Sequence, residues 1–220
     1  MPHQDFYTVN SMKVIKIVAG GPRECLPSLQ KKENEIWIAV DKGFEHLLNH
    51  QIVPDFVLGD FDSVSVDGKK LITKQNYIQY PAEKDKTDLE IAFLHAIDES
   101  PDIIVIYGAT GGRLDHELLN IQLLKQGIDK RVTVYMIDKK NKITLKSPGC
   151  YKIEKSQYQY VSFLSLFEKV EKLTLQGFRY PLYQATLNHG SSLCISNELI
   201  SNKGTYSFSS GILMVVESSD

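Results

Sequence analysis

The run Gly59-Asp60-Phe61-Asp62-Ser63 puts two carboxylates two residues apart, and in an extended turn both point the same way with Phe61 turned inward. At contact distance two such charges repel by roughly 1–4 kcal/mol, depending on the local dielectric. A hard divalent cation removes that cost. Mg²⁺ held by one or two carboxylates together with substrate phosphates is the arrangement such a pair suits. Two more acidic clusters answer the first, Lys84-Asp85-Lys86-Thr87-Asp88 and Gly111-Gly112-Arg113-Leu114-Asp115-His116. Each mixes carboxylates with glycine or a cation, and each stands where a strand or loop runs into a helix. Taken singly, these are turn aspartates, or in Asp88 an acid drawn to the positive end of a helix. Three such clusters together point to metal-dependent phosphoryl transfer.

Gly108-Ala109-Thr110-Gly111-Gly112-Arg113 has no lysine in the Walker position, so it is not a P-loop. Its glycines still let backbone N–H groups approach a phosphate, and Arg113 offers a bidentate fork for one. Gly20-Gly21-Pro22 is a weaker signal of the same kind. His116 fits local capping or packing as well as it fits function.

Residues 13–137 must position these groups. Apolar runs at Val14–Val18, Ile36–Val40, Phe56–Leu58, Ile103–Tyr107 and Val132–Ile137 read as strands. Between them lie helical patterns: Phe44, Leu47 and Leu48; Leu89, Ala92, Phe93 and Ala96 behind a Thr87/Glu90 capping box; Leu118, Ile121 and Leu124 up to a stop at Gly127. Alternating strands and helices imply a parallel sheet flanked by helices, with ligands beyond the carboxyl ends of its strands. The Gly-rich and Asp-rich segments follow strand-like runs and should gather along one edge.

After about residue 138 the pattern changes. Lys139–Lys142 reads as a polar linker and Pro148-Gly149 as a turn. Short strands follow at Tyr160–Phe167, Lys172–Leu175, Leu193–Ile195, Thr205–Phe208 and Ile212–Val216. The expected class is α/β: a Rossmann-like, mostly parallel sheet with flanking helices over residues 12–138, then an all-β sandwich over 139–220.

Composition narrows the partners. With 42% hydrophobic residues, 24% charged residues and a net charge of −2, the 220-residue chain has no global positive field to draw in nucleic acid or an acidic membrane. No apolar run approaches the roughly 20 residues that span a bilayer. Residues 1–11 lack signal-peptide character and read as a disordered extension. Cys25, Cys150 and Cys194 are scattered and odd in number, which suggests reduced thiols and a cytoplasmic protein.

The motifs at 59–63, 84–88 and 108–116, with Ile195-Ser196-Asn197-Glu198, resemble in order and content those of the thiamine pyrophosphokinase family, over about residues 13–217. The resemblance implies an α/β catalytic domain, a thiamine-binding β-sandwich, and a homodimer with active sites between subunits. It also implies transfer of an intact diphosphate from ATP to the hydroxyethyl oxygen of thiamine, releasing AMP. On the same basis Asp60, Asp62 and Asp85 match the Mg²⁺ and phosphate centre, with Asp41 another acidic position near it. Asp88, Thr110, Gly111, Gly112, Arg113 and Asp115 match nucleotide- and phosphate-site positions, and Ser196 and Asn197 match the thiamine side. Asp60, Asp62, Asp85, Asp88 and Arg113 would carry the catalysis, with either Asp85 or Asp88 taking the alcohol proton. Some family members stack a tryptophan on the vitamin soon after the last motif. Here the only tryptophan is Trp37, so Tyr206 or Phe208 would have to substitute. The alternatives are a Mg²⁺-dependent diphosphokinase or phosphatase acting on another small alcohol or nucleotide, and a non-catalytic thiamine diphosphate sensor.

Overall fold

The computed structural model describes residues 12–59 and 85–220, with the main chain of 77–79. Asp60, Asp62, Lys84 and the extension over 1–11 lie outside the described residues. Among the described residues, six parallel strands come first: β1 (Val14–Val18), β2 (Glu35–Val40), β3 (Phe56–Gly59), β4 (Tyr77–Gln79), β5 (Ile103–Tyr107) and β6 (Thr133–Ile137). They stand in the order β4-β3-β2-β1-β5-β6. The chain thus leaves β1 in both directions, and loops following β1 and β5 diverge to open a crevice.

Among the described residues, three helices cover this half: α1 (Gly43–Asn49), α2 (Asp88–Asp98) and α3 (Leu114–Lys130). Strand alternation decides which face each takes. Ile15, Ile17, Ile38 and Val40 point to the side where Leu89, Ala92 and Phe93 of α2 and Leu123 and Leu124 of α3 are buried. Val18, Trp37, Ala39 and Val57 point the other way, onto Phe44 and Leu47 of α1. A sheet buried on both sides needs apolar residues at nearly every strand position, and Ile-Ile-Val-Ile-Tyr in β5 meets that need.

The same sheet continues past residue 138. Antiparallel β7 (Asn141–Lys146) pairs with β6, β13 (Leu213–Ser218) pairs with β7, and β9 (Tyr160–Ser165) closes the row at nine strands. A second, antiparallel sheet orders β11 (Leu182–Leu187), β10 (Val170–Gln176), β12 (Lys203–Phe208) and β8 (Gly149–Glu154). Val161, Phe163, Leu213 and Val215 of the first sheet meet Leu173, Leu175, Tyr206 and Phe208 of the second in one apolar layer. The fold is therefore mixed α/β with one large sheet and a smaller antiparallel one. The C-terminal sandwich borrows one of its sheets from the main sheet.

Four local readings change. Leu193–Ile195 is a turn, because the buried Cys194 carbonyl accepts the Phe163 N–H at 3.0 Å across the sheet edge. The polar stretch from Asn141 is the start of β7, since Asp138 turns the chain back by accepting the Lys140 and Asn141 N–H groups at 2.7 Å each. Helix α3 runs three residues beyond Gly127 to Lys130, and ends on Arg131 in the left-handed region. Gly127 serves packing: a Cβ there would stand 2.3 Å from the Val134 side chain. Finally, Leu118 lies outward, 52% exposed, and Leu123 takes the inner position.

Candidate functional site

The loops beyond β1, β2 and β5 meet the N-termini of α2 and α3 around an open cleft of about 1030 Å³. Two loops cross at its floor. The Gly21 N–H donates to the Gly108 carbonyl at 2.8 Å, and a Cβ on Gly21 would lie 2.5 Å from that oxygen. Only glycine permits so close a crossing. From the other side His46, buried on α1, places Nε2 2.9 Å from the Gly21 carbonyl. A carbonyl can only accept, so Nε2 carries the proton. Burial holds the His46 ring below the ordinary histidine pKa, with Lys42 and Arg23 acting in the same direction.

The Gly108–Gly112 loop is fixed at four points. Besides Gly108, the Ala109 carbonyl accepts from the buried Asn120 amide at 2.9 Å. The Thr110 hydroxyl donates to Asp138 at 2.6 Å, and the Gly112 N–H donates to Glu117 at 2.7 Å. Such a loop needs little rearrangement to receive a ligand. Arg113 at its end forms a two-point pair with Asp115, Nε to Oδ1 at 3.1 Å and Nη2 to Oδ2 at 2.6 Å. The Arg113 guanidinium lowers the Asp115 carboxyl pKa, and the pair is exposed, so an incoming phosphate can compete for the arginine at small cost.

Asp88 opens α2, where its charge favours the helix N-terminus. Thr87 caps that helix, its hydroxyl oxygen accepting the Glu90 N–H at 3.2 Å. On the opposite wall Asp41 has a positive φ of 47° and lies against the end of β3. A Cβ on Gly59 would stand 1.9 Å from the Asp41 carboxylate oxygen, and Gly59 itself has φ 141°.

Of the expected site residues, Asp41, Asp88, Thr110, Gly112 and Arg113 line this one cleft; His116 does too. Gly111 and Asp115 belong to the same loop and helix start without lining it, and Asp85 is exposed just before α2. Among the described residues, no group of three or more His, Cys, Asp or Glu side chains comes close enough to hold a metal ion. Sequence reasoning passed over Lys42, His46 and Asn120, which also line the cleft, and Asp138 behind it. Lys42 sits inside the Asp-Lys-Gly run and had a signal. The others needed the fold, because single polar residues on helices and strand ends look the same in any chain.

Ser196 and Asn197 lie apart from the cleft, in the turn beside β9. Ser196 is exposed with φ 54°. Asn197 is 2% exposed, and its amide is committed: Oδ1 accepts from Tyr180 N at 3.0 Å and Glu198 N at 2.9 Å, and Nδ2 donates to Tyr180 O at 2.8 Å. Tyr206 and Phe208 are buried between the sheets, stacked on Tyr151, so neither offers a face to a ligand. Tyr180, clasped by Asn197, is 56% exposed. Trp37 is buried under α1 and stacks on Tyr107.

Comparison with known proteins adds an independent line. The model of the thiamin pyrophosphokinase catalytic domain matches residues 28–136, and that of the thiamin pyrophosphokinase vitamin B1 binding domain matches residues 150–213. The thiamine pyrophosphokinase of Bacillus subtilis (strain 168) is 47% identical over 214 residues, covering 95% of this chain and 100% of that one. The crystal structure of a Bacillus subtilis thiamine pyrophosphokinase superposes with a TM-score of 0.90 at 45% identity, over 94% of this chain and 100% of that one. That of a Geobacillus thermodenitrificans thiamin pyrophosphokinase gives 0.86 at 44% identity, over 94% and 98%. The yeast enzyme, at 12% identity, shares the fold with a TM-score of 0.71 over 98% and 87% of the two chains.

Proposed function

The chain belongs to the thiamine pyrophosphokinase family, and from that premise we propose how its residues divide the work. The activity is that of an ATP:thiamine diphosphotransferase: the hydroxyethyl oxygen of thiamine attacks the β-phosphorus of ATP, the bond to the bridging oxygen breaks, and AMP leaves with the electron pair. The observation that carries the reading is the cleft on which Asp41, Asp88, Thr110, Gly112 and Arg113 converge from three separate segments.

ATP occupies the cleft beyond β1, β2 and β5, with its phosphates toward the Gly-rich loop and Arg113. The preset loop and the arginine fork stabilise charge growing on the bridging oxygen, the largest protein contribution in phosphoryl transfer. Either Asp85 or Asp88 accepts the alcohol proton. Asp60, Asp62 and Asp85 would hold Mg²⁺, with Asp41 beside them. The all-carboxylate donor set suits a hard cation, and the contact of Gly59 with Asp41 brings a strand end leading to Asp60 against a further carboxylate. When bound, Mg²⁺ supplies neutralising charge to the diphosphate. Ser196 lies on the thiamine side, with Asn197 shaping its turn and Tyr180 offering an exposed ring.

The finer architecture follows the same reading. Residues 12–138 form the Rossmann-like catalytic part and 139–220 the vitamin-binding part, a division that the two family matches support. The protein works as a homodimer with its sites between subunits. It is cytoplasmic, which its three free cysteines support. Asp62→Asn, which removes charge and little volume, should lower turnover by roughly 100-fold or more with an unchanged circular dichroism spectrum. Near-normal turnover would remove Asp62 from the metal centre.

A further inference from the structure

Asp138, at the carboxyl end of β6, is a carboxylate only 6% exposed. Its Oδ1 accepts from Lys140 N and Asn141 N at 2.7 Å each and from the Asn141 amide at 3.1 Å. Its Oδ2 accepts from the Thr110 hydroxyl at 2.6 Å and from the Asn141 amide at 3.2 Å. An ionised carboxylate donates nothing, and a threonine hydroxyl has one hydrogen. That hydrogen is therefore committed away from the cleft. The lone pairs of the Thr110 oxygen remain for a ligand, and Thr110 lines the cleft.

Phosphate oxygens are acceptors too, so a hydroxyl held in this direction opposes them. Among the groups of a nucleotide, its partner must carry a hydrogen. On a nucleotide the hydrogens sit on the ribose hydroxyls and on the base amino group. We infer that Thr110 recognises a hydrogen-bond donor of the nucleoside, with Asp138 as the positioning residue that fixes its polarity. This rests on the cleft being the ATP site. It separates Thr110 from the phosphate-contacting part of its loop, with which the motif groups it.

The geometry supplies its own test. Both backbone N–H groups bind Oδ1 of Asp138, so in Asp138→Asn the amide oxygen must take that place and the Nδ2 must face Thr110. The nitrogen then donates to Thr110 and turns its hydrogen into the cleft, with no change of volume. Equilibrium binding of ATP, 2′-deoxy-ATP, 3′-deoxy-ATP and purine riboside triphosphate should be measured without thiamine, together with KM for each under turnover. Wild type should bind one of these analogues about 3–10-fold more weakly than ATP, the scale of one hydrogen bond, and which one identifies a ribose hydroxyl or the base amine as the partner. Thr110→Val and Asp138→Asn should both abolish that ratio, and Thr110→Ser should keep it. If the ratios survive in Thr110→Val, the inference fails, even where melting temperature drops. It fails equally if Thr110→Val changes the divalent-ion requirement and leaves the nucleoside ratios intact, since the oxygen would then face a cation. Wild type that binds nucleotide with these ratios yet forms no AMP would overturn the proposed reaction and leave this inference standing.

Discussion

At Gly59 the absence of a side chain decides where a carboxylate can stand, because any Cβ would overlap the Asp41 oxygen. The gathering of Asp41, Thr110 and Arg113 at one cleft was legible from glycine and aspartate runs that follow strands, whereas Asp60 and Asp62 lie outside the described residues. Asn197 was not legible: its amide looks the same in sequence whether it holds a ligand or a backbone. Its three bonds to Tyr180 and Glu198 argue for the second. The pair therefore divides under mutation. Ser196→Ala should raise KM for thiamine by about 3–10-fold and leave the melting temperature alone. Asn197→Ala should strand buried backbone groups at about 1–3 kcal/mol each and lower the melting temperature by several degrees. Thermal melts and KM values for thiamine and ATP check both. Equal rises of both KM values in Ser196→Ala would take thiamine away from this turn.

Elements carry the next level of positioning. The capping threonine of α2 fixes where the helix begins, and so where Asp88 stands at the cleft. Thr87→Ala should cost about 1 kcal/mol of stability, read as a shift in urea midpoint with unchanged slope. An unchanged midpoint would show that packing of Leu89, Ala92 and Phe93 alone sets the helix start. Helices and parallel strands were legible because a two-sided core imposes apolar runs and 3.6-residue stripes. The C-terminal strands were harder. β8 reads Gly-Cys-Tyr-Lys-Ile-Glu and β11 Leu-Tyr-Gln-Ala-Thr-Leu, each half solvated, so their alternation is weak and neither was anticipated. Continuation of the main sheet through β7 was hidden for a related reason. A polar turn at Asp138 looks like a linker until its carboxylate is seen folding the chain back.

For the whole molecule, the apolar residues of β9 are used within the chain. Val161 and Phe163 face the second sheet, while Leu164 and Leu166 pack on the α/β core. Among the apolar residues that stay outward are those at the start of α3, with Leu114 68% exposed and Leu118 one turn on. Sedimentation at micromolar concentration should report a dimer for wild type and a shift toward monomer for Leu114→Glu with Leu118→Glu. A fully active wild-type monomer would contradict the shared-site reading. Transfer of an intact diphosphate fixes the stoichiometry of the products. Purified protein given ATP, thiamine and Mg²⁺ should form AMP and thiamine diphosphate in equal amounts, and none after exhaustive chelation. Formation of ADP with thiamine monophosphate, or full turnover without a divalent ion, would contradict it.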